Sequence, residues 1–212
     1  MQNNHSAPLQ YIGKLVSYIL HPLFIPTYFM LFLMQVLPYE FVGITEWQLK
    51  MRLFSVFWLT AFFPAFSVFL MWRLKLSESI FLRTQKERII PYVITMFFYW
   101  WMYYLSRNFT DQPLALKFFY FGIFIASAIG LVVNNFMKVS LHGMGVGGLL
   151  TAVILVGFHY PINALPWLLL VLFLTALVIA ARMLVSDHTK QELLIGLLIG
   201  VLTQVIAYFW VI

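Results

Sequence analysis

Apolar residues run along this chain in long unbroken blocks, separated by short stretches where charges and turn residues collect. The blocks lie at about residues 15–37, 53–72, 91–105, 114–137, 143–158, 165–183 and 193–212. Most are long enough to cross a bilayer as helices, and they are continuous rather than alternating, which argues against a β-barrel. The first block is interrupted by Pro22 and Pro26, with His21 beside them. It reads either as a kinked span or as an interfacial helix followed by a short span. The pattern therefore predicts an all-α, polytopic transmembrane helical bundle of six to seven spans. It forms a single membrane-embedded domain over 1–212, with a polar amino-terminal segment at 1–14 and a basic loop at 73–91.

Finer features fit this reading. The run Tyr99-Trp100-Trp101-Met102-Tyr103-Tyr104 has the composition of an interfacial aromatic belt. Gly196 and Gly200 stand four apart, as do Gly143 and Gly147, a spacing that gives a helix a small-residue face for close packing. The glycines at 143–148 are no dinucleotide fingerprint, because no strand precedes them. The amino terminus lacks a basic region ahead of a cleavage site, so no cleaved signal peptide is expected.

Composition sharpens the picture. Of 212 residues 63% are hydrophobic and 9% charged, with a mean hydropathy of +0.91; soluble domains carry roughly 25% charged residues. Membrane lipids are thus obligatory partners. There is no cysteine, which excludes disulfides and thiolate metal sites. The net charge of +6 is scattered and favours anionic headgroups or phosphate-bearing substrates over nucleic acid. Nothing in the sequence sets an oligomeric state.

The remaining chemistry sits in three polar gaps. The basic loop holds Arg73, Lys75, Arg83, Lys86 and Arg88 against Glu78 and Glu87. Two blocks later comes Val139-Ser140-Leu141-His142, and two blocks after that Arg182, His188 and Glu192. An even number of crossings returns the chain to the same side, so the three gaps can meet at one membrane face. Arg182 precedes His188 by six positions and Glu192 follows it by four. In a helix starting near His188, that spacing would put the carboxylate on the imidazole's face. A histidine so held can act as base, acid or nucleophile, and an arginine beside it can bind phosphate through paired hydrogen bonds. Asp187 adjoins His188, but adjacent side chains diverge on a helix, so Glu192 is the preferred orienting group. Read singly, these residues have plainer roles: a snorkelling arginine, a cytoplasmic basic anchor, a helix-start histidine at 142, a loop histidine at 159. His21 reads as a kink residue that could line a route for lipid.

Taken together, the three gaps resemble the signature of the type 2 phosphatidic acid phosphatase superfamily, KxxxxxxRP, PSGH and SRxxxxxHxxxD. The resemblance covers roughly residues 73–212. Its third part is matched in spacing by Arg182, His188 and Glu192, and its second by Ser140 and His142. The chain departs from the pattern at Val139 and Leu141, where the family has proline and glycine, and at Ala181 and Glu192, where it has serine and aspartate. The first part keeps its spacing from Arg83 to Ile90-Pro91 but lacks the second cation, which Arg88 or Lys86 could supply.

The resemblance implies an integral membrane phosphatase of a bacterial inner membrane, acting on a phosphorylated lipid such as phosphatidic acid or a polyprenyl pyrophosphate. His188 would attack phosphorus and form a phosphohistidine, Glu192 would orient it, and His142 would protonate the leaving oxygen. Arg182, Arg83, Arg88, Lys86 and Ser140 would bind the phosphoryl oxygens. No cofactor and no metal are expected. Two rivals remain open: a non-catalytic relative that binds or moves a phosphorylated lipid, and a small transporter, whose expected inverted repeat is not visible. Nine Lys and Arg fall on the site's side in a seven-span count and four on the other. That asymmetry would place the site in the cytoplasm. The family habit, and a six-span count with an inside amino terminus, would face it outward. Several of the nine are candidate ligands and so poor indicators of topology, and outward is the expectation adopted.

Overall fold

The computed structural model describes residues 7–82, 84–185 and 188–212. Among the described residues every regular element is helical, as the block pattern predicts. The first block is one kinked passage. Helix α1 (Ala7–Ile19) gives way to a 3-10 turn (Pro22–Phe24), then to α2 (Ile25–Val36). Pro22 and Pro26 both occupy first-turn positions, where a missing N–H costs nothing; each restarts the helix rather than kinking it from within. α1 packs along the carboxy-terminal half of α8 (Leu165–Val185), with Gly13 against Ala181 and Val185. α2 carries on to the far side, where Phe32 meets Trp167 edge-on.

The second passage is α3 (Glu46–Phe57), one π-helical turn (Trp58–Phe62) and α4 (Phe63–Arg73). Pro64 explains the widened turn. It offers no N–H to the carbonyl four residues back, and the Phe63 N–H bonds instead to Trp58 O, five back. The third is α5 (Gln85–Asn108), opened by a capping box between Thr84 and Glu87. Here the structure corrects two expectations. Helix starts at Gln85, so Pro91 lies inside α5 rather than at its mouth, and the basic loop shortens to what precedes Thr84. The aromatic run also divides. Trp100, Trp101 and Tyr104 are exposed, as a belt needs, while Tyr99 and Tyr103 are buried and Tyr103 stacks on Phe121 at 4.6 Å.

Helices α6 (Leu114–Asn134), α7 (Leu141–His159), α8 and α9 (Lys190–Val211) complete the bundle. Six segments are long and apolar enough to cross a membrane: 8–36, 46–73 and α6 to α9. α5 is more polar, but it lies antiparallel to α6. The two are joined by a short turn at one end and tied at the other, where Asn134 Nδ2 donates to Gln85 O at 2.9 Å. It therefore traverses the same depth, as a seventh passage among the described residues.

α9 is wedged between α6 and α7. α7 and α9 run parallel and almost touch through glycine. A Cβ on Gly143 would stand 2.7 Å from Leu193 O, one on Gly196 2.5 Å from Ser140 O, and Gly147 and Gly200 abut Leu197 O and Met144 O just as closely. The expected small-residue faces thus meet each other. The main core lies nearer the opposite side, around Phe29 stacked on Phe119 at 4.1 Å, with Leu33, Leu116, Phe118 and Tyr120 fully buried.

Candidate functional site

The tight α7–α9 crossing brings two helix N-termini to one face of the bundle. Ser140 caps α7, its Oγ accepting the Gly143 N–H at 3.2 Å, and its own N–H donates to Glu192 O at 3.3 Å. Thr189 caps α9 through a capping box with Glu192. The arrangement aligns the positive ends of both helix dipoles with this face, a setting that suits an anion.

His188 immediately precedes the α9 cap. The expected contact with Glu192 exists, but its cause differs from the helical-face geometry, since His188 is outside the helix. Glu192 is the third residue of α9, and its carboxylate reaches back over the cap. A single oxygen, Oε2, accepts the Thr189 N–H at 3.1 Å and lies 2.9 Å from His188 Nδ1. The cap that starts the helix therefore also orients the imidazole. Both side chains are largely buried, at 8% and 15% exposure. Donation from Nδ1 to the carboxylate puts the ring's lone pair on Nε2. Burial holds the His188 pKa below the usual histidine range; the Glu192 hydrogen bond opposes that shift, and the nearby Arg88 and Arg182 guanidinium groups add to it. The neutral, nucleophilic form is thus the prevailing one at neutral pH.

His142 is the second residue of α7 and is 8% exposed. Its Nε2 lies 3.0 Å from Ser17 O, and a carbonyl accepts only, so Nε2 carries the hydrogen and Nδ1 the lone pair. The His21 ring meets it edge-on, with centroids 5.1 Å apart. Arg182, in the last turn of α8, lies within the electrostatic reach of all three imidazoles. Arg88 joins from α5. Its Nε donates to Leu82 O at 2.9 Å and its Nη1 to Val139 O at 3.4 Å, which pins the first polar gap to the second. The fold thus gathers five of the sequence candidates at one membrane face: His188, Glu192, His142, Arg182 and Arg88.

Two candidates are placed otherwise, and a third lies outside the described residues. Lys86 is exposed in the first turn of α5. Ser140 is present but fully buried, its oxygen engaged as the α7 cap rather than displayed to a ligand. Arg83 lies outside the described residues, as does Asp187. His159 stands at the opposite face, where Nδ1 lies 3.4 Å from the Tyr208 hydroxyl.

Comparison with family models, with curated proteins and with solved structures returned no match. Among the described residues no three of His, Asp or Glu are grouped as metal ligands would be. What the arrangement offers is one oriented imidazole with a lone pair, a second imidazole across from it, and two guanidinium groups able to bind a doubly charged anion.

Sequence reasoning placed His21 at a kink and no further. The structure puts it against His142, with its Nδ1 3.4 Å from the Leu23 N–H that it caps. The available signal was a histidine just ahead of two prolines in an apolar block. A polar ring there has little reason to persist unless the kink turns it inward.

Proposed function

We propose that the chain is an integral membrane phosphatase of lipid phosphates or pyrophosphates, working through a phosphohistidine. The observation that carries this reading is the His188–Glu192 pair, with Nδ1 on the carboxylate and Arg182 and Arg88 close by. His188 Nε2 attacks phosphorus as the bond to the leaving oxygen breaks. His142 Nδ1, which holds a lone pair in the resting ring because Nε2 donates to Ser17 O, takes the proton of a monoprotonated phosphoryl group and passes it to the departing alcohol or phosphate. Glu192 stabilises the positive charge that develops on His188 as the P–N bond forms. Water then attacks the phosphohistidine, releases inorganic phosphate and regenerates the imidazole. Arg182 and Arg88 offset the charge that spreads over the phosphoryl oxygens.

Two observations favour a second reading, a non-catalytic relative that binds a phosphorylated lipid. Ser140 is buried as a helix cap, and Arg88 already donates to two backbone carbonyls. Phosphate release from purified protein over a panel of lipid phosphates and pyrophosphates separates the two. Release that depends on His188 supports the phosphatase. Binding of the same lipids without release supports the relative. The side of the membrane that the site faces belongs to the same proposal: an outward site, as in the resembling family, in a bacterial inner membrane. Modification of an engineered cysteine at Lys190 by a membrane-impermeant reagent in intact cells tests it.

A further inference from the structure

A cleft of about 250 Å³ opens between α1, α2, α7 and α8. Leu20 and Tyr28 form one wall, Val146 and Leu149 a second, Leu174 and Thr175 a third, and Ile25 closes one end. The wall residues are apolar apart from the Tyr28 hydroxyl and Thr175, and both hydroxyls are committed elsewhere. Thr175 Oγ1 donates to Val171 O at 2.7 Å, and Tyr28 OH to Ile19 O at 2.8 Å. The cleft exists because the Pro22–Phe24 turn parts α1 from α2, while Gly145 lets Pro22 and Ile25 close on α7.

Its position joins it to the polar site. Leu20 precedes His21 in the chain. Val146 follows His142 by one helical turn and shares its face of α7. One end of the cleft thus lies where the His21–His142 pair ends, and the rest extends along α8 among membrane-crossing helices. At about 30 Å³ for each water-sized group, the volume of about 250 Å³ corresponds to roughly eight methylenes, a stretch of one chain rather than the whole of two.

We propose that this cleft holds one hydrocarbon chain of the phosphorylated substrate, with its phosphate drawn to the histidines. The proposal rests on the phosphate-site reading and adds to it the class of substrate: an amphiphile of which a single chain is recognised, any second chain staying in the bilayer. Because that chain arrives from lipid and not from water, its selection depends on shape rather than on the hydrophobic effect.

The test uses a dodecylphosphonate with a mid-chain diazirine, which no phosphatase can hydrolyse, beside a dodecylphosphocholine with the same chain. Each is photolysed with the full chain in detergent, and the adducts are mapped by peptide mass spectrometry. The phosphonate is expected to label segments 20–28 and 146–149 at least about fivefold more than the phosphocholine. Leu149→Trp, which fills the cleft from α7, is expected to abolish that preference, and Leu174→Trp, which fills it from α8, repeats the result should the first variant fold poorly. Equal labelling by both probes would mean that only bulk lipid enters, and adducts elsewhere or an unaffected tryptophan variant would equally overturn the proposal. Turnover provides a separate arm. Leu149→Trp is expected to raise KM for dodecyl phosphate about tenfold while leaving a short, water-soluble phosphomonoester unchanged. Labelling without any turnover would sink the phosphatase reading and leave the cleft assignment standing; turnover without chain labelling would do the reverse.

Discussion

Glu192→Gln isolates the charge of the orienting carboxylate from its geometry. In the structure one oxygen, Oε2, serves both the Thr189 N–H at 3.1 Å and His188 Nδ1 at 2.9 Å. A glutamine carbonyl can accept both bonds, and glutamine suits the third position of a capping box as well as glutamate does. The helix start should therefore survive, with Tm within about 2 °C of wild type. What disappears is the negative charge that favours an imidazolium. Hydrogen bonds to charged groups contribute about 1.5–3 kcal/mol and neutral ones about 0.5–1.5. The difference, about 1–1.5 kcal/mol, predicts a fall in kcat of about tenfold on a lipid phosphate. Glu192 also raises the His188 pKa, so its loss moves the acid limb of the rate profile to lower pH. Glu192→Ala removes the bonds as well. It should cost about 1.5–3 kcal/mol in rate, roughly ten- to 150-fold, and about 1 kcal/mol in stability through the orphaned Thr189 N–H. Phosphate release and thermal unfolding in detergent read both quantities. A Glu192→Gln enzyme as inactive as His188→Ala, or a Glu192→Ala enzyme as fast as wild type, would refute the orienting role.

Further outcomes follow from the same geometry. Burial depresses the His188 pKa, so the rate should persist below pH 6.5 and fall as pH drops through the lowered value; an acid limb above 6.5 would contradict this. The same group stabilises the fold fully above about pH 6.5, and that contribution is lost as pH falls through its folded pKa, which acid unfolding curves of wild type and His188→Gln would compare. Arg182→Lys keeps the charge but loses the planar fork, and should weaken binding of a lipid phosphate about tenfold by equilibrium binding. His21→Phe preserves the edge contact with His142 but removes the acceptor that caps the Leu23 N–H, and should lower Tm by a few degrees in detergent; an unchanged Tm would show that the cap contributes nothing. Gly200→Ala drives a Cβ into Met144 O and should cost about 1–3 kcal/mol, several degrees in Tm.

The bundle was legible because lipid imposes long apolar blocks, and the gaps between them carry parity. Parity alone was enough to bring Arg88, His142 and Arg182–His188 to one face. The glycines at 143, 147, 196 and 200 were legible for a similar reason, since a four-residue spacing marks a close helix contact. What the sequence hid lay at helix ends. The approach of Glu192 to His188 depends on where α9 begins, and Thr189 settles that through its cap rather than through helical periodicity. Ser140 reads as a ligand or as a cap with equal ease, and burial decides for the cap. Pro91 reads as a boundary because proline favours first turns, yet the Thr84–Glu87 capping box starts α5 before it. His21 was the hardest to read, because a long-range contact made by a 3-10 turn leaves no periodic trace.

Inorganic phosphate release from dodecyl phosphate and phosphatidic acid by detergent-purified protein, beside His188→Ala, tests the central claim most directly. The account predicts release by wild type, its loss in the variant at unchanged Tm, and an acid-labile phosphoryl group trapped on wild type alone. Release that continues undiminished in His188→Ala would contradict it.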